Sequence, residues 1–103
     1  MDPRNEQLAK NLINFSCAVK EGDKVWIHYT GPATKELAIA LVRETYRAGG
    51  VPFTTYTDPQ VQREILLNCT EEQLKLMAES DSKKMEQMDC YIGVRGTDNA
   101  FEL

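Results

Sequence analysis

Val25-Trp26-Ile27-His28-Tyr29-Thr30 is an apolar, β-branched and aromatic run that follows the polar turn Lys20-Glu21-Gly22-Asp23-Lys24. Gly31-Pro32 then opens a helical segment that stops at Ala48-Gly49-Gly50, and Val51-Pro52-Phe53-Thr54-Thr55-Tyr56 resumes extended. Strand, crossover helix and second strand in this order build a parallel sheet with a right-handed connection. The α/β class follows, and with it the place to look for chemistry, the loops at the C-terminal ends of the strands.

The strand from Lys24 to Thr30 has bulky residues at every position but the last, which suits a central strand buried on both faces. Along the next helix Leu37, Ala38, Leu41, Val42, Thr45 and Ala48 form an apolar stripe, and Gly49 suits the left-handed residue that ends it. Pro52 has no N–H to give to a ladder, so the second strand is expected at an edge or to begin there. Upstream, Asp2-Pro3 reads as a helix start, with Leu8, Leu12, Phe15 and Val19 recurring on one face. Downstream, Asp58-Pro59 starts a helix with Val61, Ile65 and Leu66 on its apolar side, and Thr70-Glu71-Glu72-Gln73 is a capping box. Ser80-Asp81-Ser82 interrupts the apolar side that follows, which predicts one helix ending near Glu79 and another starting close to Ser82. Cys90-Tyr91-Ile92-Gly93-Val94 is the third strand, and Arg95-Gly96-Thr97-Asp98-Asn99 the loop at its end. The expected architecture is a parallel three-stranded, incomplete sheet flanked by helices. Sheets that small rarely stand alone, so the chain reads as part of a longer protein.

A chain of 103 residues makes one domain. Its net charge of -4 argues against nucleic acid as a partner, since no basic patch interleaved with aromatics is present. No apolar run approaches the ~20 residues of a membrane helix. The polar, acidic opening Met1-Asp2-Pro3-Arg4-Asn5-Glu6 does not read as a signal peptide, and a cytoplasmic location is expected. The three cysteines, Cys17, Cys69 and Cys90, are far apart and in apolar contexts, and free thiols are expected.

Candidate chemistry is sparse. His28, the single histidine, lies mid-strand between Ile27 and Tyr29 with no second imidazole to share a metal, and a packed, hydrogen-bonded role is expected. The first strand-to-helix loop, Thr30-Gly31-Pro32-Ala33-Thr34, has the position of a phosphate loop. It carries one glycine, and Pro32 removes an N–H, so a plain tight connection is expected. Arg95, Asp98 and Asn99 share the third loop, where they either meet a ligand or form a solvated turn. Glu71, Glu72, Glu79 and Asp81 read as cap, dipole and solvent-facing charges rather than a convergent pair of acids. No catalytic and no metal-ligating set is legible. Thr30, Gly31, Arg95 and Asn99 remain as residues expected to face a cleft or a neighbouring domain.

Several stretches together resemble the N-terminal region of the aminopeptidase T/aminopeptidase S family of metallo-aminopeptidases. They are Met1-Asp2-Pro3-Arg4 with Leu8-Ala9, the run Val19 to Val25, Leu41-Val42-Arg43-Glu44, and Tyr46 to Phe53. Glu72-Gln73-Leu74 and Met88-Asp89-Cys90-Tyr91-Ile92, then Arg95 and Asn99, follow in the family's order. The resemblance implies a cytoplasmic, homodimeric exopeptidase that removes N-terminal residues from peptides with two divalent metals, zinc or cobalt. It implies that residues 1–103 are the Rossmann- or flavodoxin-like N-terminal domain of a longer two-domain protein, with every metal ligand in the C-terminal part. None of those ligands has a matching position here, so this chain by itself is expected to hold no catalytic metal and to cleave nothing. The alternative is a freestanding flavodoxin-like module that binds a small ligand or signals. Against it stand the single-glycine loop and the acidless first loop, with Thr30 and Thr57 near where a signalling receiver would need an acidic cluster.

Overall fold

Lys24–Thr30 form β1, the central strand of the parallel part of the sheet. In this computed structural model, which describes residues 2–96 and the backbone of 101–102, β1 pairs in parallel with β2 (Val51–Thr57) on one side. On its other side it pairs in parallel with β3 (Cys90–Arg95). A two-residue strand, β4 (Phe101–Glu102), adds antiparallel beyond β3 and gives the order β2-β1-β3-β4. The expected parallel three-stranded α/β sheet is therefore observed, with β4 as an addition. Pro52 sits in β2, which is an edge strand, as a residue without an N–H requires.

Successive side chains of a strand point to opposite faces. Val25 and Ile27 of β1, with Ile92 and Val94 of β3, face one side and are fully or almost fully buried. They are covered by helix α1 (Pro3–Asn11) and helix α2 (Lys35–Arg47). Ala9, Leu12, Ile13, Leu37, Ala38 and Leu41 complete this core. The stripe expected along α2 is the one that packs, with Glu44 buried as well and paired to the exposed Arg47.

Two devices shape the ends of α1 and α2. Asp2 caps α1 by accepting the Arg4 N–H, with Pro3 at the first helical position. Gly49, at φ +86°, closes α2 in the left-handed region, as expected from its place.

The expected apolar face of the first helix is corrected at Phe15, whose side chain is 78% exposed. Leu12–Ser16 continue α1 as a π-helical turn, with the Cys17 N–H bonded to the Leu12 carbonyl. That wider turn breaks the 3.6-residue spacing, so Leu12 and Ile13 reach the core and Phe15 does not.

A second correction concerns the thiols. Cys17, at the end of the π turn, and Cys90, at the start of β3, are joined as a disulfide, and Cys69 alone is free. Cys90 shares its face with Ile92 and Val94, the face on which α1 and its extension pack, and this brings together residues 73 apart in sequence. Spacing along the chain carries no trace of that meeting.

The other face of the sheet is covered by helix α3 (Pro59–Asn68) and helix α4 (Glu71–Glu86), neither of which has a buried residue. Local bonds start them. Asp58 accepts the N–H groups of Gln60 and Val61, and Thr70 accepts that of Gln73. The break expected at Ser80-Asp81-Ser82 is absent, for α4 is one helix of 16 residues. Serine and aspartate cost a helix interior only ~0.5 kcal/mol each, and no glycine or proline stands there to stop it.

The two kinds of apolar residue should respond differently to truncation. Ile27→Ala, in the closed core, is expected to lower the urea unfolding free energy by ~2–5 kcal/mol. Phe15→Ala is expected to change it by less than about 1 kcal/mol, since its ring already meets water.

Candidate functional site

His28 follows Ile27 in β1 and therefore points to the opposite, less covered face. There Trp26, with 4% exposure, packs edge-on to Tyr91 at 5.0 Å and gives its indole N–H to Thr55 Oγ1 at 3.0 Å. Lys84 of α4 stands over the Trp26 ring at 4.5 Å and donates to the same Thr55 hydroxyl. These contacts close the N-terminal half of that face. Toward the C-terminal ends of the strands it stays open.

The opening is a cleft of about 530 Å³ between the sheet and α3. His28, Thr30, Thr57, Tyr91 and Arg95 form its sheet wall, and Gln62, Arg63, Leu66 and Leu67 its helix wall. Gly93 lies on its floor, where a Cβ would come within 3.1 Å of the Tyr91 hydroxyl. The chain runs from β1 outward to β2 and back past β1 to β3. The cleft thus lies where connections leave for opposite faces, the place at which α/β sheets take ligands.

His28 is held inside this wall. Its Nε2 is 2.7 Å from Thr57 Oγ1, and its Nδ1 is 3.3 Å from the Tyr91 hydroxyl. Trp26 stacks parallel to it at 6.1 Å between centroids. Burial pushes its pKa below the usual 6.5; Asp81 opposes that, while Lys84 and Arg95 reinforce it. The expected packed, hydrogen-bonded histidine is observed, and it also lines the cleft.

The four expected cleft-facing residues are placed as follows. Thr30 and Arg95 both line the cleft. Gly31 does not, but it makes the turn that ends its wall, at φ +91° and ψ 152°, a conformation open essentially to glycine alone. Its N–H bonds the Thr57 carbonyl at 3.1 Å, and its carbonyl accepts the Thr34 N–H and hydroxyl. This is the tight connection expected of that loop. Asn99 lies outside the described residues, as do Thr97 and Asp98. The α3 wall went unread in the sequence, although Gln62, Arg63, Leu66 and Leu67 recur at helical spacing. The signal for His28 was strand parity, which puts it on the same face as Thr30.

Among the described residues no three His, Cys, Asp or Glu side chains converge where they could hold a metal ion. None of the described helices is long and apolar enough to cross a membrane.

A protein-family model described as thermophilic metalloprotease (M29) matches residues 1–101. Among solved structures, wild-type AmpT from Thermus thermophilus superposes with a TM-score of 0.68 at 24% sequence identity, over 93% of this chain and 25% of that one. That likeness is one of fold. The chain spans about a quarter of the length of that structure. No curated protein matches.

A lowered histidine pKa has a definite sign in stability. Between the folded pKa and 6.5 the unfolded chain binds more protons than the folded one, so stability is full above pH 6.5 and falls as pH drops through that window. As His28 is the sole histidine, its ring proton resonance should titrate with a midpoint below 6.5 in the folded chain. His28→Gln should remove this part of the acid dependence in urea unfolding. A midpoint at or above 6.5 would contradict the assigned burial effect.

Proposed function

The chain belongs to the thermophilic metalloprotease (M29) family, and from that membership we propose that residues 1–103 are the N-terminal, non-catalytic domain of a metal-dependent aminopeptidase. The complete protein releases N-terminal amino acids from peptides and holds two divalent metals, zinc or cobalt, in a C-terminal part of its own. The observation that carries this reading is the family match over nearly the whole chain. The proportion of this chain to the AmpT structure, about a quarter, supports a larger complete protein. The donor set described in the site does not fit a metal pair, so no catalytic step is assigned to these side chains.

What this domain contributes is a wall. Thr30, Gly31 and Arg95 stand at the C-terminal ends of β1 and β3, and we assign them, with Asn99, to the surface that meets the catalytic part. The complete protein is cytoplasmic and homodimeric in this reading, with peptides as its substrates and neither nucleic acid nor membrane as a partner.

The test compares the complete protein with the 103-residue chain. With zinc or cobalt added, the complete protein should release leucine from leucyl p-nitroanilide or a leucyl peptide. The chain alone should release none and should retain neither metal in equilibrium dialysis. Arg95→Ala combined with Asn99→Ala in the complete enzyme should alter its peptide kinetics or its thermal stability. If both stay unchanged, the assignment of these residues to the domain surface is lost.

A further inference from the structure

β2 is the outermost strand of the sheet, and among the described residues no strand lies beyond it. Its backbone bonds show which groups are left bare. The Val51 N–H bonds the Asp23 carbonyl at 2.7 Å, and the Thr57 carbonyl accepts the Gly31 N–H at 3.1 Å. Both reach toward β1, so residues 51, 53, 55 and 57 turn their backbone groups to that strand. Alternation then turns Pro52, Thr54 and Tyr56 to the open edge. Pro52 brings only a carbonyl there, whereas Thr54 and Tyr56 each bring an N–H and a carbonyl. Edge strands usually carry charges or bulges that discourage pairing. Val51–Thr57 has no charged residue and pairs with β1 without a bulge, and its single guard is Pro52, near one end.

A helix stripe runs beside this edge. Ile39, Val42 and Tyr46 of α2 follow one another at helical spacing, and Tyr46 is 64% exposed. Tyr29, Ile39, Val42 and Thr54 line a groove of about 360 Å³ between α2 and the sheet, with Lys35 and Arg43 beside them. The Tyr56 ring lies 5.0 Å from that of Tyr29, between centroids, and stays 44% exposed. An apolar groove next to bare ladder groups fits an added strand. The backbone of such a strand bonds the edge, and its alternate side chains enter the groove.

We propose that the β2 edge pairs with β2 of a second copy of this chain, antiparallel, about a twofold axis at Thr54. In that register the two Thr54 residues exchange a pair of bonds, and each Tyr56 N–H meets the Pro52 carbonyl of the other copy. Every outward N–H of the strand is then bonded, and Pro52, which has none, needs no acceptor. Each Tyr56 faces Pro52 of the other copy and each Phe53 faces Thr55, so no like charges meet across the ladder. The strand is thus its own complement, as twofold association requires. The pairing rests on the geometry of this edge and not on the aminopeptidase reading, to whose homodimer it gives an interface.

Cys69, the free thiol, is first replaced by serine. Sedimentation equilibrium of this 103-residue chain should then show a reversible equilibrium between monomer and dimer. Thr54 is exposed, so Thr54→Lys should leave the circular dichroism unchanged. It should weaken dimerisation at least about tenfold, because two ammoniums meet at the axis. Thr54→Cys sets two Cα atoms about 5.5 Å apart, a distance that a disulfide spans. Oxidised glutathione, which takes up the two electrons and leaves as two thiols, should cross-link this variant. Glu64→Cys, exposed on α3, should stay uncross-linked. In the complete protein Thr54→Cys should give a cross-linked pair that the unsubstituted protein does not.

A chain that stays monomeric up to about 1 mM, or a dimer that Thr54→Lys leaves intact, overturns the proposal. Equal cross-linking at positions 54 and 64 marks random collision and overturns it too. If the chain cross-links at position 54 and the complete protein does not, a second copy is overturned as the occupant of this edge. If the complete protein releases N-terminal residues but never cross-links there, the interface falls and the aminopeptidase reading stands. If it cross-links yet releases nothing from unblocked peptides, the interface stands and the aminopeptidase reading falls.

Discussion

β1 makes ladder bonds to a parallel partner along both of its edges, and that double pairing arranges everything else. Parallel neighbours cannot be joined by a tight turn, so each connection must climb over a face of the sheet. The chain goes outward from β1 to β2 and returns past it to β3, and connections of one hand then fall on opposite faces. α2 lies over Ile27 and Ile92, and the α3–α4 pair lies over Trp26 and His28. Between the two, at the ends of β1 and β3, the backbone divides and leaves room for a ligand.

The faces are not equivalent energetically. On one, α1 and α2 bury aliphatic side chains against Val25, Ile27, Ile92 and Val94, and each such side chain contributes ~1.5–3 kcal/mol on removal from water. On the other, α3 and α4 bury none of their own residues. Their start points are set by Asp58 and Thr70, worth ~1 kcal/mol apiece as caps. The Lys84–Trp26–Thr55 contacts add a tie at the far end of α4. The sheet wall of the cleft is thus fixed by the core beneath it, and the helix wall by local bonding.

This division gives the chain a closed aliphatic half and a half that is open around the cleft. Family membership directs attention to peptide hydrolysis, while the described side chains supply positive charge and apolar surface rather than a set of metal donors. The two fit together in the proposed reading, in which another part of the protein supplies the metals and this domain a wall. The His28 ring is committed to Thr57 and Tyr91, and burial keeps it uncharged at neutral pH.

The strands, the edge position of the Pro52 strand, the end of α2 at Gly49 and the caps at Asp2, Asp58 and Thr70 were legible because each follows from nearest-neighbour chemistry. A proline without an N–H, a glycine free to take positive φ and a side-chain oxygen near bare N–H groups act over a few residues. Phe15 was misread because one π turn, a choice made by packing against α2 and the sheet, shifts the phase of the helix. The run Ser80-Asp81-Ser82 was misread because a polar interruption changes which face is wet without removing a backbone bond. The meeting of Cys17 with Cys90, and of Arg63 with Arg95 around one cavity, had no local signature. Contacts between distant residues depend on strand order and on which face each crossover takes. Local pattern and turn chemistry therefore determined the class of fold and its elements. Only the tertiary structure decided which side chains share a space, because that depends on how whole elements stack.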